Sequence, residues 1–138
     1  MTYQIVSERR LRYQIRVQNP EDAYSLVKRY AKARREQFIL ICLNSANEAI
    51  SVSFISVGII NRTIVHPREV FCKAIQDLAT AIIICHNHPS GKNEPSTEDI
   101  ELTKRLVSAG ELLGIPVIDH LIISMNGFAS LNSLGHIR

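Results

Sequence analysis

The sequence has no apolar run of about 18 residues, the length that a helix needs to cross a membrane. Its beginning, MTYQIVSERRLRYQIR, carries charges where a secretory leader would have an apolar stretch. Cysteine is scarce and odd in number: Cys42, Cys72 and Cys85 lie inside apolar runs, which indicates buried thiols in a reducing compartment instead of a disulfide framework. We therefore expect a cytoplasmic protein that does not contact a membrane.

The remaining composition is that of an ordinary globular chain. Its 138 residues, 46% hydrophobic and 21% charged, are enough for one domain with its own core. No repeat, low-complexity segment or domain linker interrupts them. We divide the chain into a basic N-terminal segment, residues 1–15, and a single domain, residues 16–138.

The net charge of +3 is unevenly distributed. Residues 1–36 carry a balance of +5, and the rest of the chain carries −2. A basic face can meet a nucleic acid or an acidic partner. A solvated helix surface with a loose basic tail produces the same pattern and is the simpler interpretation, since no aromatic ladder or Gly-rich phosphate loop accompanies it. We expect at most a weak nucleic-acid contact through this region; the sequence does not predict an oligomeric state.

Hydrophobic periodicity predicts strands that alternate irregularly with helices. The predicted strands cover residues 11–17 (an edge strand), 37–44, 49–57 up to Gly58, 80–85, 116–124 and FASL; the predicted helices cover 20–35, a stretch that begins at Pro67, and 97–113. Asn19 is the expected cap of the first helix, and Gly114 is expected to end the third. Because the connections are short, some strand pairs should be antiparallel. The predicted fold class is α/β, or mixed α+β, with a sheet flanked by helices.

The stretch CHNHPSGKNEPSTED, residues 85–99, has the composition of a metal site. If the strand before it continues in extended form, His86 and His88 project from the same face. Two imidazoles on one face can bind one ion at about 2.0–2.1 Å, and Asp99 can fold back as a third ligand. Three ligands and a water form the arrangement of catalytic zinc, which lowers the pKa of its water and polarises a carbonyl. Ser96 lies where it can hydrogen-bond an oxyanion or that water.

Each part of this stretch also has a simpler interpretation. Ser96 and Asp99 have the spacing of a helix cap, in which a hydroxyl and a first-turn carboxylate bind free backbone amides. Histidines in a short polar loop are often ordinary surface residues. A His-x-His at a strand end together with Ser-x-x-Asp at a helix start is an improbable coincidence, so the combination favours the metal site.

At this level of detail the chain resembles a known family. HNHPSGKNEPSTED resembles the JAMM metal motif, His-x-His followed by Ser-x-x-Asp, of the JAB/MPN metallopeptidase superfamily. VHPREVF, IIICHNHPSG, PSTEDIELTKRL and DHLIIS are similar to one branch, the bacterial RadC-like proteins, over roughly residues 16–132. The resemblance implies an MPN-type, cytidine-deaminase-like fold: a curved mixed β-sheet with helices against it and the metal at its rim.

The resemblance also implies an activity and the residues that carry it. The family hydrolyses peptide or isopeptide bonds of peptide or protein substrates with a zinc-activated water. By position, His86, His88 and Asp99 take the zinc-ligand roles, and Ser96 takes the oxyanion-stabilising role. Members described as DNA-repair proteins often carry a helical DNA-binding region upstream. This chain begins almost at the JAB domain, so we expect that region to be absent.

The family mechanism further needs a glutamate on an upstream strand as general base. Alignment on Gly58 and on the HPRE stretch puts this position at Phe54, and no acidic residue lies between Glu48 and Glu69. Phenylalanine cannot carry a proton. Three possibilities remain. Glu48 serves through a shifted strand register, or Glu69 reaches the site although it should cap or pair at its own helix start. In the third, the chain is a catalytically impaired metal-binding interaction module, with or without an association with DNA.

Four further residues have more ordinary expected roles. His66 precedes Pro67 and should cap the second helix. Asp119 and His120 are adjacent on a strand, so they should point to opposite faces, with His120 a buried structural residue or a group that orients a ligand. Cys85 should point away from the ligand face and into the core.

Overall fold

The computed structural model of the protein describes residues 7–57 and 65–137, with side chains from residue 15 to 55 and from 65 to 137. Its strands form one sheet in the order β1-β3-β2-β4-β5-β6. The strands are β1 Ser7–Arg16, β2 Gln37–Leu43, β3 Glu48–Val57, β4 Ala81–Asn87, β5 Val117–Ser124 and β6 Gly127–Ser130; the α-helices are α1 Pro20–Val27, α2 Pro67–Gln76 and α3 Thr97–Leu113. The β4–β5 pair is parallel and the other pairs of this sheet are antiparallel. The predicted class, a mixed sheet flanked by helices, is confirmed.

Helices cover both faces of the sheet. Side chains alternate along β2, so Leu40 packs with residues of α2 and α3, whereas Ile39 and Ile41 pack with residues of α1. We call these the α2/α3 face and the α1 face. The central strands β2 and β4 are buried on both sides, which explains why both are nearly continuous apolar runs.

The ends of the helices follow the predicted cap chemistry. Asn19 accepts a hydrogen bond from the backbone N–H of Asp22 at 2.9 Å, so α1 begins as expected. Gly114, with φ +74°, ends α3 in the left-handed conformation that favours glycine. Both predictions are confirmed.

The predicted helix over residues 20–35 is wrong in its second half. The α-helix ends at Val27, and a 3₁₀ helix, Lys28–Lys32, follows. The tighter winding buries Ala31 and sets the ring of Tyr30 edge-on against Phe54, with 4.7 Å between centroids. Apolar spacing alone did not distinguish the two helix types because packing on the sheet decides between them.

The first and last strands among the described residues, β1 and β6, form the two edges of the sheet. The predicted edge strand over residues 11–17 is confirmed, although β1 begins earlier, at Ser7, and its register against β3 shifts between Arg10 and Ile15. Much of the basic N-terminal segment is therefore paired with the sheet, and the proposed boundary at residue 15 stays a prediction. Gly58 lies outside the described residues. Across residues 7–57 and 65–137, none of the helices has the length and apolar character that a membrane crossing requires.

Candidate metal centre

The two motif histidines project together from the end of β4. His86 is the penultimate residue of β4 and pairs with Phe38 of β2. The backbone N–H of His88 donates to the carbonyl of Ile123 at 2.8 Å, which continues the pairing with β5 past the end of β4. Because the backbone stays extended from 86 to 88, the i, i+2 spacing places both imidazoles on one side, as predicted.

Asp99 reaches the same point from the first turn of α3. The helix begins with a reciprocal cap: Ser96 Oγ accepts from the N–H of Asp99 at 3.1 Å, and Asp99 Oδ2 accepts from the N–H of Ser96 at 2.8 Å. This cap holds the carboxylate 3.1 Å from His86 Nε2 and 3.2 Å from His88 Nε2. The two Nε2 atoms are 3.0 Å apart. The sequence-predicted ligands are therefore brought together.

The charges of the three groups suit a cation. Burial alone would raise the pKa of Asp99, but hydrogen bonds from His86 and His88 and the charge of His86 hold it far below its usual range, so the carboxylate is anionic. Burial alone would lower the pKa of His88, yet hydrogen bonding to Asp99, the charge of Asp99, the Lys92 carbonyl and the charge of Glu36 together raise it. An anionic carboxylate thus stabilises positive charge between the two rings.

The donor set fits a metal ion by geometry as well. His88 Nδ1 lies 2.9 Å from the carbonyl oxygen of Lys92. Because a carbonyl only accepts hydrogen bonds, Nδ1 carries a proton. In the neutral form of the ring, the lone pair is therefore at Nε2. The three potential ligand atoms lie within 4.8 Å of one another. Two imidazole nitrogens and one carboxylate oxygen form a set that zinc and related divalent ions accept. His86, His88 and Asp99 could therefore hold a metal ion.

Glu48 is not brought to this group. It begins β3, where its Oε1 accepts from Asn44 Nδ2 at 2.9 Å. Its neighbour Ala49 pairs with Leu43, at the end of β2 opposite to the Phe38–His86 pair. At about 3.3 Å per residue, the length of β2 separates Glu48 from His86 by on the order of 15 Å.

Phe54 faces the other side of the sheet. It pairs with Ile39, and Ile39 pairs with Cys85, which precedes His86 and so lies on the α1 face. A side chain at position 54 therefore points away from the ligands. The sequence alignment missed this because a shift of one residue exchanges the two faces of a strand, and the β2–β3 register is irregular next to this pair.

The acidic residue that the sequence reasoning missed is Glu36, directly before β2. The pairing of β2 with β4 ends at Phe38 and His86, and its antiparallel direction leads the chain from Phe38 back through Glu36 toward the side of His88. The charge of Glu36 is one of those that raise the pKa of His88. The sequence held one usable signal. Glu36 is an acidic residue immediately before a predicted central strand, and that strand could pair antiparallel with the strand that leads into the histidines.

Asn87 lies between the two histidines and hydrogen-bonds the backbone of the segment that contains Glu36. Its side chain is fully buried. Oδ1 accepts from the N–H of Gln37 at 2.6 Å, while Nδ2 donates to the carbonyls of Arg35 at 2.9 Å and Ala33 at 3.2 Å. The backbone on both sides of Glu36 is thereby tied to the strand that ends in the ligands.

The other sequence predictions around the site agree with the structure. His66 caps α2 by accepting from the N–H of Arg68 at 3.2 Å. His120 contacts His86, with 3.0 Å between His120 Nε2 and His86 Nδ1, while Asp119 turns the other way and accepts from Ser130 Oγ at 2.6 Å. Cys85 lies in the core of the α1 face, where burial and the charge of Asp119 raise the pKa of its thiol.

A mixed sheet with His-x-His at the end of a central strand, and an aspartate in the first turn of the next helix, is the arrangement of a JAB-type domain, and these three residues could hold a metal ion. The sequence model of the RadC-like JAB domain matches residues 17–136. The chain belongs to the RadC-like JAB domain family.

Curated bacterial relatives support the same assignment. UPF0758 proteins of Bacillus cereus (strain AH187), Bacillus mycoides (strain KBAB4) and Bacillus anthracis (strain A0248) are each 47% identical to the chain over 131 residues. The aligned region covers 93% of this chain and 58% of each relative. The chain thus spans less than two thirds of the length of these proteins.

Proposed function

We propose that this domain binds zinc through His86, His88 and Asp99 and hydrolyses peptide or isopeptide bonds. The observation that carries the proposal is the convergence of two imidazole Nε2 atoms on an anionic, buried carboxylate, with all ligand atoms within 4.8 Å. Family membership supports the same chemistry. A bound zinc ion would act as a Lewis acid on the scissile carbonyl and would make a water reactive at neutral pH.

Glu36 is the proposed proton carrier of this reaction. Its carboxylate would take a proton from the attacking water and return it to the nitrogen of the leaving amine as the C–N bond breaks. Three features support this role: the direction of the chain toward the side of His88, the effect of its charge on the pKa of His88, and the anchoring of its backbone by Asn87. With Glu36 in this role, an acidic residue at position 54 is not required.

Ser96 has two compatible roles in the proposal. Its Oγ accepts the N–H of Asp99, which uses an oxygen lone pair and leaves the hydroxyl proton available as a donor. That proton could stabilise negative charge on the substrate oxygen during attack. The helix cap and the oxyanion role therefore do not compete for the same atom of Ser96.

The different exposure of the three proposed ligands supports one direction from which a substrate would approach. The side chains of His86 and Asp99 are 5% and 1% exposed, whereas that of His88 is 10% exposed. The more open ligand is the one on which the charge of Glu36 acts. A scissile bond that enters beside His88 would thus meet the proposed proton carrier directly.

The test combines zinc analysis with a matched pair of glutamate variants. Purified protein is assayed for zinc content and for cleavage of a panel of fluorogenic peptides and lysine-ε-linked isopeptides. We expect one bound zinc, and loss of about 10²–10⁴-fold in kcat in Glu36→Gln with zinc retained. Glu48→Gln should remain fully active. Equal loss in the two variants would contradict the assignment of Glu36, and a zinc-loaded wild type that cleaves no substrate would favour a non-catalytic module.

A second candidate function is an interaction module that contacts nucleic acid through basic residues. In residues 15–55, six basic side chains are exposed: Arg16, Lys28, Arg29, Lys32, Arg34 and Arg35. Phosphate contacts of this kind release counterions, so binding would weaken steeply with salt and would not depend on metal. Binding of a duplex oligonucleotide, measured over a range of salt with and without chelator, tests it. Absence of binding at low salt excludes this function.

A further inference from the structure

A buried chain of hydrogen bonds connects two of the proposed ligands behind the metal centre. Thr103 Oγ1 donates to the carbonyl oxygen of Asp99 at 2.7 Å and lies 2.6 Å from His120 Nδ1. His120 Nε2 in turn lies 3.0 Å from His86 Nδ1. Thr103 and His120 are both 0% exposed, so no solvent replaces a member of the chain.

The position of each proton follows from the one group that can only accept. The carbonyl of Asp99 takes the single proton of the Thr103 hydroxyl, so toward His120 the hydroxyl acts as acceptor and Nδ1 of His120 must donate. His120 is 0% exposed, and its two ring nitrogens contact a hydroxyl and a second imidazole instead of a carboxylate, so the ring is neutral and its Nε2 has no proton. Nε2 therefore accepts from Nδ1–H of His86.

We propose that Thr103 is a positioning residue of the metal centre: through His120 it fixes the proton of His86 on Nδ1 and so leaves the lone pair of Nε2 directed at the ion. The inference rests on the proposed metal site and not on hydrolysis. Both histidines of the proposed site then carry the proton on Nδ1. His86 donates it to His120, whereas His88 donates it directly to a backbone carbonyl.

Loss of the Thr103 hydroxyl should reverse the direction of the hydrogen bond between His120 and His86. In Thr103→Val, a methyl group faces His120 Nδ1, and a buried N–H there would have no acceptor. His120 then favours its proton on Nε2, which donates to His86 Nδ1 and drives the proton of His86 to Nε2, where it competes with the metal. Thr103→Ser keeps the hydroxyl and should behave as wild type.

The first test reads the tautomers directly. Two-bond ¹⁵N–¹H correlation spectra of the metal-free wild type with ¹⁵N-labelled histidine, at alkaline pH, distinguish protonated from bare ring nitrogens. We expect Nδ1–H on both His86 and His120. A bare Nδ1 on His86, or a proton on Nε2 of His120, overturns the inference. Because this spectrum needs neither a variant nor bound metal, it decides the question even if a variant fails to fold or zinc does not bind.

The second test measures zinc affinity by competition with a chelator. Thr103→Val should bind zinc about 10–100-fold more weakly than wild type, and Thr103→Ser within a few-fold of it. Thr80→Val, at an exposed position just before β4, is the control for a threonine hydroxyl outside the chain. Wild-type affinity in a folded Thr103→Val protein overturns the inference. Failure of the wild type itself to bind zinc overturns the proposed function instead, and the spectra then decide the proton position alone.

Discussion

Two buried aspartates, one on each face of the sheet, show how similar carboxylates acquire different properties. Asp99 is 1% exposed and faces two imidazoles, and its pKa is held far below the usual range. Asp119 is 4% exposed and faces the Ser130 hydroxyl and two backbone amides. Burial raises its pKa in spite of these hydrogen bonds. Groups that can become cationic make one carboxylate a candidate ligand, and neutral donors make the other a structural acceptor.

The two aspartates also differ in how completely their oxygens are used. Asp119 accepts from Ser130 Oγ, from the N–H of His120 and from the N–H of Asn132, at 2.6, 2.7 and 3.1 Å, and so ties β5 to the chain that follows β6. Asp99 accepts one backbone N–H, from Ser96, and directs its remaining capacity at the histidines. A buried carboxylate whose partners are themselves metal-binding groups therefore indicates a site more reliably than burial alone.

The largest expected difference between the two aspartates is in zinc binding. Asp99→Asn keeps the shape of the side chain and an acceptor for the Ser96 N–H but removes the anionic ligand, so zinc affinity should fall by more than about 100-fold, beyond the usual effect of an outer partner. Asp119→Asn should change it by less than about threefold. Chelator competition measures both. Similar losses in the two variants would mean that Asp99 is not a ligand.

A second difference is expected in the stability of the metal-free protein. Asp119→Ala leaves Ser130, Asn132 and His120 without their common acceptor, which should cost about 3 kcal/mol in the free energy of unfolding. At alkaline pH, where attraction between the carboxylate and cationic imidazoles is absent, Asp99→Ala should cost about 1 kcal/mol, because it deprives only the backbone N–H of Ser96 of its acceptor. Urea unfolding with chelator present compares them. A greater cost for Asp99→Ala would reverse our assignment of structural and functional roles.

The dependence of stability on pH should separate the aspartates by sign. The pKa of Asp99 lies below its ordinary value of 3.8, so its contribution is present above pH 3.8 and is lost as the pH falls below it. The pKa of Asp119 lies above 3.8, so its contribution is present below pH 3.8 and is lost as the pH rises through the raised pKa.

The corresponding asparagine variants should therefore change opposite parts of the curve. With chelator present, the free energy of unfolding of the wild type should fall as the pH drops below 3.8, and Asp99→Asn should reduce that fall. Asp119→Asn should instead remove a decrease that occurs as the pH rises above 3.8. One carboxyl group changes the slope of either part of the curve by at most about 1.4 kcal/mol per pH unit. Unfolding free energies measured on both sides of pH 3.8 provide the comparison. A change of the same sign in both variants would disprove the different electrostatic environments.

The serines that support each carboxylate extend the same comparison. Ser130→Ala removes a buried donor to Asp119 and should cost about 2 kcal/mol. Ser96→Ala removes a helix cap but keeps the backbone donor to Asp99, so it should cost about 1 kcal/mol and leave zinc affinity nearly unchanged. Thermal unfolding and zinc titration check these values. A large loss of zinc affinity in Ser96→Ala would show that the hydroxyl, and not the cap backbone, orients Asp99.

Features that depend on near neighbours in the chain were predictable. Asn19 and His66 cap their helices, and Gly114 ends α3, because capping requires only residues within a few positions. The common direction of His86 and His88 followed from the i, i+2 spacing of an extended chain in the same way. The end of α1 at Val27 did not follow, since the winding beyond it depends on packing against β3.

Features that depend on strand register were not predictable from the one sequence. Phe54 was aligned with the general-base position, yet it lies on the α1 face. Glu36 was passed over, although its charge acts on His88. A one-residue change of register reverses the face of every side chain on a strand, and local patterns do not encode it. Thr103 was unnoticed because it joins His120 only where α3 packs against β5.

The sequence by itself determined which residue types can bind metal, where the helices start, and which family the motif resembles, because these depend on composition and short spacing. Tertiary structure decided which groups contact the two ring nitrogens of His86, which acidic side chain raises the pKa of His88, and which of the buried aspartates faces the two histidines. These outcomes require groups far apart in the chain to meet at about 3 Å in a dry interior, where the type of partner determines charge and proton position.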